Sequence, residues 1–246
     1  MSNISFWHCG SNKPHATEFA IANVRKHHPN AYYHLCVDGQ NIEEFYRIAK
    51  KYDCDFVYYD RKLGGPVQPY GYTPDNINEF LSRLHKAFES CNTSHMMMME
   101  DDVLVLKPIS VYPNWKHACH NVTNDNFFPE KLKDLCAKYG IRPNWNSYGA
   151  GGGSIFNTYI FLDSYPNVKH ILFDIIYEIG REYPTIGWLD CFLNVFYYIC
   201  GCEYSVNPHL TDTHNHRPGF DYDKFISNLD PKIEIVNNYK RLYFNE

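Results

Sequence analysis

The chain has 246 residues, enough to bury a substantial core in one large α/β domain or two small ones. Its formal net charge of -5 excludes a sequence-independent grip on nucleic acid, which needs a basic surface. No apolar run approaches the roughly 20 residues that cross a bilayer, and the N-terminal MSNISFWHCGSNK lacks the basic-then-apolar pattern of a signal peptide. We therefore expect a soluble, cytoplasmic protein without a transmembrane segment or a nucleic-acid partner.

The first half of the chain alternates predicted strands with predicted helices. The strands, which are rich in apolar and aromatic residues, are expected at 4–9, 31–37, 55–59 and 95–99. The helices, which have apolar residues at helical spacing, are expected at 14–28, 42–52 and 77–91. This alternation predicts βαβ units and a mainly parallel sheet flanked by helices. Ligands bind beyond the C-terminal ends of such strands, so the residues that follow each strand are the first candidates for chemistry.

The second half is less regular. It contains one expected helix at 129–139, a glycine run at 149–153, and two further expected helices near 168–182 and 186–200. The segment from Asn207 onward is rich in His, Asp, Pro and Asn, which predicts a loop that could fold over a site. No internal repeat or low-complexity linker divides the chain. We therefore expect a single α/β domain with two halves, 1–106 and 107–246.

Three consecutive acids follow the expected strand at 95–99. Glu100, Asp101 and Asp102 stand where a buried apolar run ends, before VLVL resumes extended structure. Crowded carboxylates repel one another unless a cation joins them, and hard oxygen ligands favour Mg²⁺ or Mn²⁺. Such an ion would clamp a diphosphate and stabilise it as a leaving group. A solvated acidic turn is the plain alternative for any triple of acids.

The stretch HMMMMEDDVLVLKP resembles the acidic metal-binding motif, called DXD, of glycosyltransferases with the GT-A fold, in a variant that reads EDD. This resemblance implies transfer of a sugar from a nucleotide-diphosphate donor, with UDP-sugars favoured, to a hydroxyl of a glycan or another acceptor. It also implies Mn²⁺ or Mg²⁺ as cofactor. By the same resemblance Asp102 would ligate the metal, while Glu100 and Asp101 would face the ribose and metal-bound waters.

Three more residues receive donor-site roles from the resemblance. Arg83 lies in a helix where several GT-A families direct a basic residue toward the donor phosphates, and Asp38 is placed like the acid that contacts base or ribose. Gly152 belongs to YGAGGGSIF, which resembles the glycine-bearing segment that supports donor and acceptor sugars. The plain alternatives are a surface arginine, a turn-forming Asp-Gly pair and a flexible loop.

The segment GWLDCFLN resembles the GT-A segment that supplies an acid beside the acceptor. Asp190 lies away from the apolar face of its expected helix, so it could take the proton of the acceptor hydroxyl in an inverting displacement. Its plain alternative is a solvent-facing acid in a first helical turn. The residues before Leu193-Asn194 differ from the pattern of retaining members, which favours inversion while leaving the stereochemistry open.

GT-A enzymes often place a C-terminal histidine on the metal, and here His214 is preferred to His209 for that role. A zinc site that combines these histidines with Cys200 and Cys202 is the alternative, but their spacing matches no standard zinc pattern.

Two other functions fit the same elements. A sugar nucleotidyltransferase shares the parallel sheet and an acidic metal site, but usually carries a Gly-rich, basic loop after the first strand, and GSNKPHA is poor in both features. A catalytically inactive GT-like module that binds sugar or a partner protein is the second alternative. The full acid triple together with Asp190 speaks against that loss of activity.

Overall fold

A computed structural model describes residues 4–60, 72–119, 121–122, 129–141, 148–149, 151–182, 188–213 and 219–239. The side chains at 121–122, 129–130, 148–149, 182 and 188–191 are outside that description. The first half alternates strands and helices as expected: β1 Ile4–Gly10, α1 Pro14–His27, β2 Tyr33–Val37, α2 Ile42–Lys51, β3 Asp55–Tyr58, α3 Pro74–Ser90 and β4 His95–Met99.

The second half contains shorter strands and longer helices. In chain order the elements are β5 Leu104–Val105, β6 His117–Cys119, β7 Asn121–Val122, α4 Pro129–Lys138, β8 Tyr148–Gly149, β9 Ile155–Asn157, α5 Thr158–Glu182, α6 Trp188–Ile199, β10 Ser205–Val206, β11 Leu210–Asp212, α7 Tyr222–Ser227 and β12 Ile235–Asn237.

A mixed, mainly parallel sheet of seven strands forms the centre of the fold, in the order β10-β6-β9-β4-β1-β2-β3. The strands β4, β1, β2 and β3 are parallel, whereas β9 runs antiparallel to both β4 and β6. A second sheet has three strands in the order β11-β12-β5. Its edge strand β5 follows the acidic triple in the sequence. The carboxyl ends of β1, β2 and β4 therefore meet at one edge of the central sheet.

Strand β4 separates two apolar cores. Its residues are all buried, and alternate side chains of a strand point to opposite faces. Met96 and Met98 pack in the core that contains α3, α5 and α6, whereas Met97 and Met99 pack in the core that contains α1 and α2. Burying such a side chain contributes about 1.5 to 3 kcal/mol. The run of four methionines thus fixes the place where the acidic triple emerges.

Three expectations about the second half are wrong in detail. Helix α5 begins at Thr158, ten residues before the expected start. Pro166 usually marks a helix boundary, but here it lies at an exposed position inside the helix and does not end it. The segment after Asn207 is not simply a loop, since it contributes β11, α7 and β12. Helix α6 is buried around its whole circumference from Phe192 to Tyr197, not along one face alone. Within the described residues, no helix is long and apolar enough to span a membrane.

Candidate functional site

The loops after β1 and β2 are packed tightly together at the carboxyl edge of the sheet. The amide of Asp38 donates to the carbonyl of Gly10 at 3.3 Å. A Cβ atom on Gly39 would lie 1.7 Å from the carbonyl oxygen of Ser11, which is inside any allowed contact distance. Glycine is therefore required in the Asp-Gly turn for close backbone approach.

The acidic triple forms a short turn whose three side chains have different surroundings. Glu100 Oε2 accepts a hydrogen bond of 3.0 Å from the Gly152 amide. Asp101 Oδ1 accepts from Thr17 Oγ1 at 2.5 Å and lies 3.0 Å from His8 Nε2. Asp102 is buried, and its carbonyl accepts from the Tyr239 amide at 2.8 Å. The turn is thus anchored to β1, to α1, to the glycine run and to the residues after β12.

The glycine run allows the chain to pass close beneath the acidic turn. Gly151 and Gly153 have φ values of +86° and +87°, which L side chains rarely adopt. A Cβ atom on Gly152 would lie 2.3 Å from Val103 Cγ2. Gly152 thus contacts Glu100 directly, while its support of donor and acceptor sugars stays a prediction.

An unpartnered oxygen faces the carboxylate of Glu100 across Gly152. The position of a Cβ on Gly152 lies 2.9 Å from Glu100 Oε2 and 3.2 Å from Asn237 Oδ1. Asn237 is 2% exposed, and its Oδ1 atom has no hydrogen-bond partner among the described residues. The Asn237 amide nitrogen donates to Asp212 at 3.2 Å. This hydrogen bond directs Asn237 Oδ1 away from Asp212. A buried acceptor without a donor needs a ligand, a water or a cation.

Carboxylate and carbonyl oxygens are the ligands that Mg²⁺ and Mn²⁺ prefer. Val103 Cγ2 lies 2.3 Å from the Cβ position of Gly152, so an ion bound by these oxygens would lie away from that point. No group of three or more His, Cys, Asp or Glu side chains is close enough to hold a metal in the described ranges. The Asp101 Oδ1 atom accepts from Thr17 and lies within hydrogen-bond distance of His8. A metal here would use amide oxygen as well as carboxylates.

Arg83 and Asp38 come together beside the acidic turn. Arg83 Nη1 lies 3.4 Å from Asp38 Oδ2, and both side chains are at least nine-tenths buried. Arg83 Nε donates to Glu79 at 2.9 Å, and the guanidinium lies 3.9 Å from the ring centroid of Tyr59. Burial raises the pKa of Tyr59 to about 12, so its ring carries no charge near neutral pH. Arg83 is therefore not an isolated surface arginine.

The sequence matches no protein-family model and no curated protein. Solved structures are similar in fold. The galactosyltransferase LgtC, in complex with donor and acceptor sugar analogues, aligns at a TM-score of 0.53 and 12% identity, over 95% of this chain and 86% of LgtC. An active-site mutant of LgtC aligns at 0.55 and 11% identity, over the same shares. The chain also aligns with 46% of the bifunctional glycosyltransferase WbbM, over 96% of its own length, at a TM-score of 0.54 and 10% identity.

The chain has the GT-A glycosyltransferase fold. The resemblance that the EDD segment indicated is confirmed at the level of fold, as is the mainly parallel central sheet. In this GT-A fold the acidic turn lies at the carboxyl end of β4, beside the ends of β1 and β2. The roles assigned to individual residues remain predictions.

Two further predicted site residues, Asp190 and His214, fall partly or wholly outside the described residues. Asp190 is the third residue of α6, but its side chain is outside the description. His214 lies outside the described residues altogether. The alternative His209 is engaged elsewhere, since its Nδ1 atom lies 3.0 Å from the Lys232 carbonyl and its Nε2 atom 3.1 Å from Tyr112 Oη. Cys202 packs in the apolar core and Cys200 against it.

The sequence interpretation missed Asn237, Asp212, His8 and Thr17. Asn237 and Asp212 are paired residues at the ends of the parallel strands β11 and β12. The alternating apolar pattern of KIEIVN at 232–237 was the available signal for β12, and a strand end would have made Asn237 a candidate. His8 and Thr17 have no comparable local signal, because their contacts to Asp101 span more than 80 residues.

Proposed function

We propose that this protein is a metal-dependent glycosyltransferase that transfers a sugar from a nucleotide-diphosphate donor to an acceptor hydroxyl. The observation that carries the proposal is the acidic turn at the carboxyl end of β4, where the Glu100 and Asn237 oxygens lie 2.9 and 3.2 Å from the Cβ position of Gly152. They lie next to Asp102, on a fold shared with LgtC and WbbM. A buried acceptor without a donor beside an acidic turn fits a cation site.

The metal would be held by Asp102, Glu100 and Asn237, with His214 as a further candidate ligand. Mn²⁺ or Mg²⁺ would neutralise the diphosphate and make it a better leaving group. The residues themselves position the reaction. Gly152 keeps the glycine run close to Glu100 and Val103, because a side chain at this position would push both of them away from the backbone.

Arg83 and Asp38 are proposed to form the nucleotide end of the site. Asp38 follows β2, at the same edge as the acidic turn, and the Arg83 guanidinium holds it in one orientation. The Asp38 carboxylate suits a ribose hydroxyl, and the positive charge of Arg83 suits the diphosphate. A UDP-sugar is the favoured donor, and LgtC, which is similar in fold, was solved with donor and acceptor sugar analogues.

Asp190 is proposed as the general base. It lies in the first turn of α6, a helix that is buried from Phe192 to Tyr197. An ionised carboxylate beside an acceptor hydroxyl takes the proton as the oxygen attacks the anomeric carbon. This step inverts the configuration at that carbon, since it is a single displacement.

A donor-hydrolysis assay tests the function directly. The purified protein is incubated with a panel of nucleotide-sugars chosen by thermal shift, with Mn²⁺ and with a chelator. A glycosyltransferase releases nucleoside diphosphate and free sugar slowly, and only with the metal. In a parallel reaction with added pyrophosphate, a nucleotidyltransferase would instead release nucleoside triphosphate and sugar 1-phosphate. Binding without any turnover, in the presence of Mn²⁺ and candidate acceptors, would favour an inactive module and contradict the proposal.

A further inference from the structure

The middle acid of the triple is turned toward the protein interior. Its Oδ1 atom lies 3.0 Å from His8 Nε2 and accepts the Thr17 hydroxyl at 2.5 Å. His8 and Thr17 are fully buried, on β1 and α1 respectively. The Asp101 side chain itself is 14% exposed. These contacts differ from those of Glu100, which faces Gly152 and the Asn237 oxygen.

The hydrogen bonds around His8 have a defined direction. A carboxylate offers only acceptors, so the proton shared with Asp101 is on His8 Nε2. His8 Nδ1 lies 2.8 Å from the Tyr33 hydroxyl. Burial raises the pKa of Tyr33 well above its usual value, so this phenol keeps its proton and can donate it to Nδ1. The chain of donors runs from Tyr33 through His8 to Asp101, and Thr17 adds a second donor at the same oxygen.

We propose that Asp101 is an anchor of the acidic turn and not a ligand of metal or donor, and that His8 and Thr17 are positioning residues acting through it. Two buried hydrogen-bond donors hold the Asp101 carboxylate on its interior side. Glu100 and Asp102 are then the carboxylates of the turn that face the nucleotide-sugar. What Asp101 must supply is a hydrogen-bond acceptor of the right shape, whereas Asp102 must also supply negative charge to the proposed cation. The proposal rests on the proposed function for its ligand, although the anchor can be measured without one.

The difference between acceptor and charge defines the experiment. Asp101→Asn keeps a carbonyl oxygen that both donors can reach, whereas Asp101→Ala leaves two buried donors unpaired. With Mn²⁺ and UDP as probes in calorimetry, we expect Asp101→Asn to bind within about threefold of the unmodified protein. Asp101→Ala should lose about tenfold or more, and Asp102→Asn should lose Mn²⁺-dependent binding entirely. A loss in Asp101→Asn as large as that in Asp102→Asn, or unchanged binding in Asp101→Ala, would overturn the proposal.

Variants of His8 provide the matched rescue. His8→Gln retains an N–H donor near the position of Nε2, and His8→Leu has a similar volume but no donor. We expect His8→Gln to retain most Mn²⁺-dependent UDP binding, and His8→Leu to weaken it about as much as Asp101→Ala does. Thermal unfolding is measured for each variant, so that affinity is compared only among folded proteins. Equal affinity in His8→Gln and His8→Leu would contradict a positioning role.

A spectroscopic measurement decides the anchor even if the unmodified protein binds no nucleotide with Mn²⁺, a result that would contradict the proposed function alone. Imidazole ¹⁵N resonances distinguish a ring protonated at Nε2 from one protonated at Nδ1. The His8 signals, assigned by their disappearance in His8→Gln, should report the Nε2–H form in the unmodified protein and in Asp101→Asn. They should shift in Asp101→Ala. Identical His8 signals in Asp101→Ala would show that no such anchor exists.

Discussion

The Arg83 guanidinium lies 3.4 Å from the Asp38 carboxylate, joining α3 to the end of β2 in a site where both side chains are almost fully buried. Removing the guanidinium takes a cation away from a buried carboxylate, and breaking such a pair costs about 3 to 5 kcal/mol. Arg83→Met should therefore lower the unfolding free energy more than the double variant with Asp38→Asn. A urea-unfolding double-mutant cycle should give a coupling of about 1 to 3 kcal/mol.

Substitution of Arg83 is also expected to affect the affinities for UDP and for uridine differently. Arg83→Lys keeps the charge but loses the planar fork that recognises a diphosphate. We expect about a tenfold loss of affinity for UDP and less than about a twofold loss for uridine, measured by calorimetry with Arg47→Lys, an exposed arginine, as control. Equal losses for both ligands would remove Arg83 from the diphosphate site.

Asp102 is predicted to be indispensable for metal binding. Asp102→Asn removes one negative charge from the proposed cation site while keeping the shape of the side chain, so Mn²⁺-dependent UDP binding should disappear by calorimetry without a change in fold. Asp53→Asn is a matched control, because Asp53 is exposed and has a positive φ that asparagine also tolerates. Undiminished Mn²⁺-dependent binding in Asp102→Asn would exclude this carboxylate from the site.

Gly152 is predicted to tolerate no side chain. In Gly152→Ala the new methyl would lie 2.3 Å from Val103 Cγ2, a fully buried group, and between the oxygens of Glu100 and Asn237. Overpacking of this kind costs about 1 to 3 kcal/mol. Thermal unfolding should detect that loss. UDP binding with Mn²⁺ should weaken about tenfold, which corresponds to about 1.4 kcal/mol, because the methyl displaces the Glu100 carboxylate.

Gly201→Ala separates packing from backbone strain. Gly201 has a positive φ, unlike Gly152, and its missing side chain would meet nothing within 4 Å. This variant should lose about 1 to 2 kcal/mol through strain and bind UDP normally. If Gly152→Ala bound UDP as well as Gly201→Ala does, the close approach at Gly152 would have no role in the site.

The buried His117 is expected to cause part of the pH dependence of the unfolding free energy. Burial lowers its pKa from 6.5 to about 3, and its ring stacks on Phe156 at 4.6 Å. Between these two values the unfolded chain holds one proton more than the folded chain, so this residue makes unfolding free energy rise with pH by about 1.4 kcal/mol per unit. The contribution is complete above pH 6.5 and is lost as the pH falls toward 3.

Replacing His117 by phenylalanine isolates that contribution. The ring contacts are retained, and Nε2, which has no partner among the described residues, is removed. Urea unfolding of His117→Phe at pH 7, 6 and 5 should show a shallower decline than the unmodified protein, with equal or greater stability at pH 7. Burial also lowers the pKa of His34 and His95, but both are present in the two proteins and do not affect the difference. Parallel declines would contradict the assignment.

Local pattern was enough to predict the first half of the fold. The apolar run at β4 ends where the acids begin, and this boundary is set by burial on both sheet faces. The position of Asn237 could not be predicted in this way, because it depends on β12 pairing with β11 and β5 across distant parts of the chain. The inward orientation of Asp101 depends on His8, 93 residues earlier. Interactions between distant residues therefore decide which acids of a local motif face a ligand.

The last prediction is that Asp190 acts in the chemical step and not in donor binding. It lies in the first turn of α6, whose residues from Phe192 to Tyr197 are all buried, so this acid precedes an interior stretch of the helix. A general base acts in the transition state. Asp190→Asn should therefore lower kcat by about 10² to 10⁴-fold and barely change donor affinity.

The amide keeps the shape and hydrogen-bonding reach of the carboxylate but cannot accept the acceptor proton, which separates loss of chemistry from loss of packing. Asp163→Asn, an exposed acid on α5, is the control and should leave kcat unchanged. Steady-state kinetics with Mn²⁺ give kcat, and NMR of the product gives its anomeric configuration. A near-normal kcat in Asp190→Asn, or a product with the donor's configuration, would contradict an inverting displacement with this base, and the proton would have to be taken by another residue near the sugar.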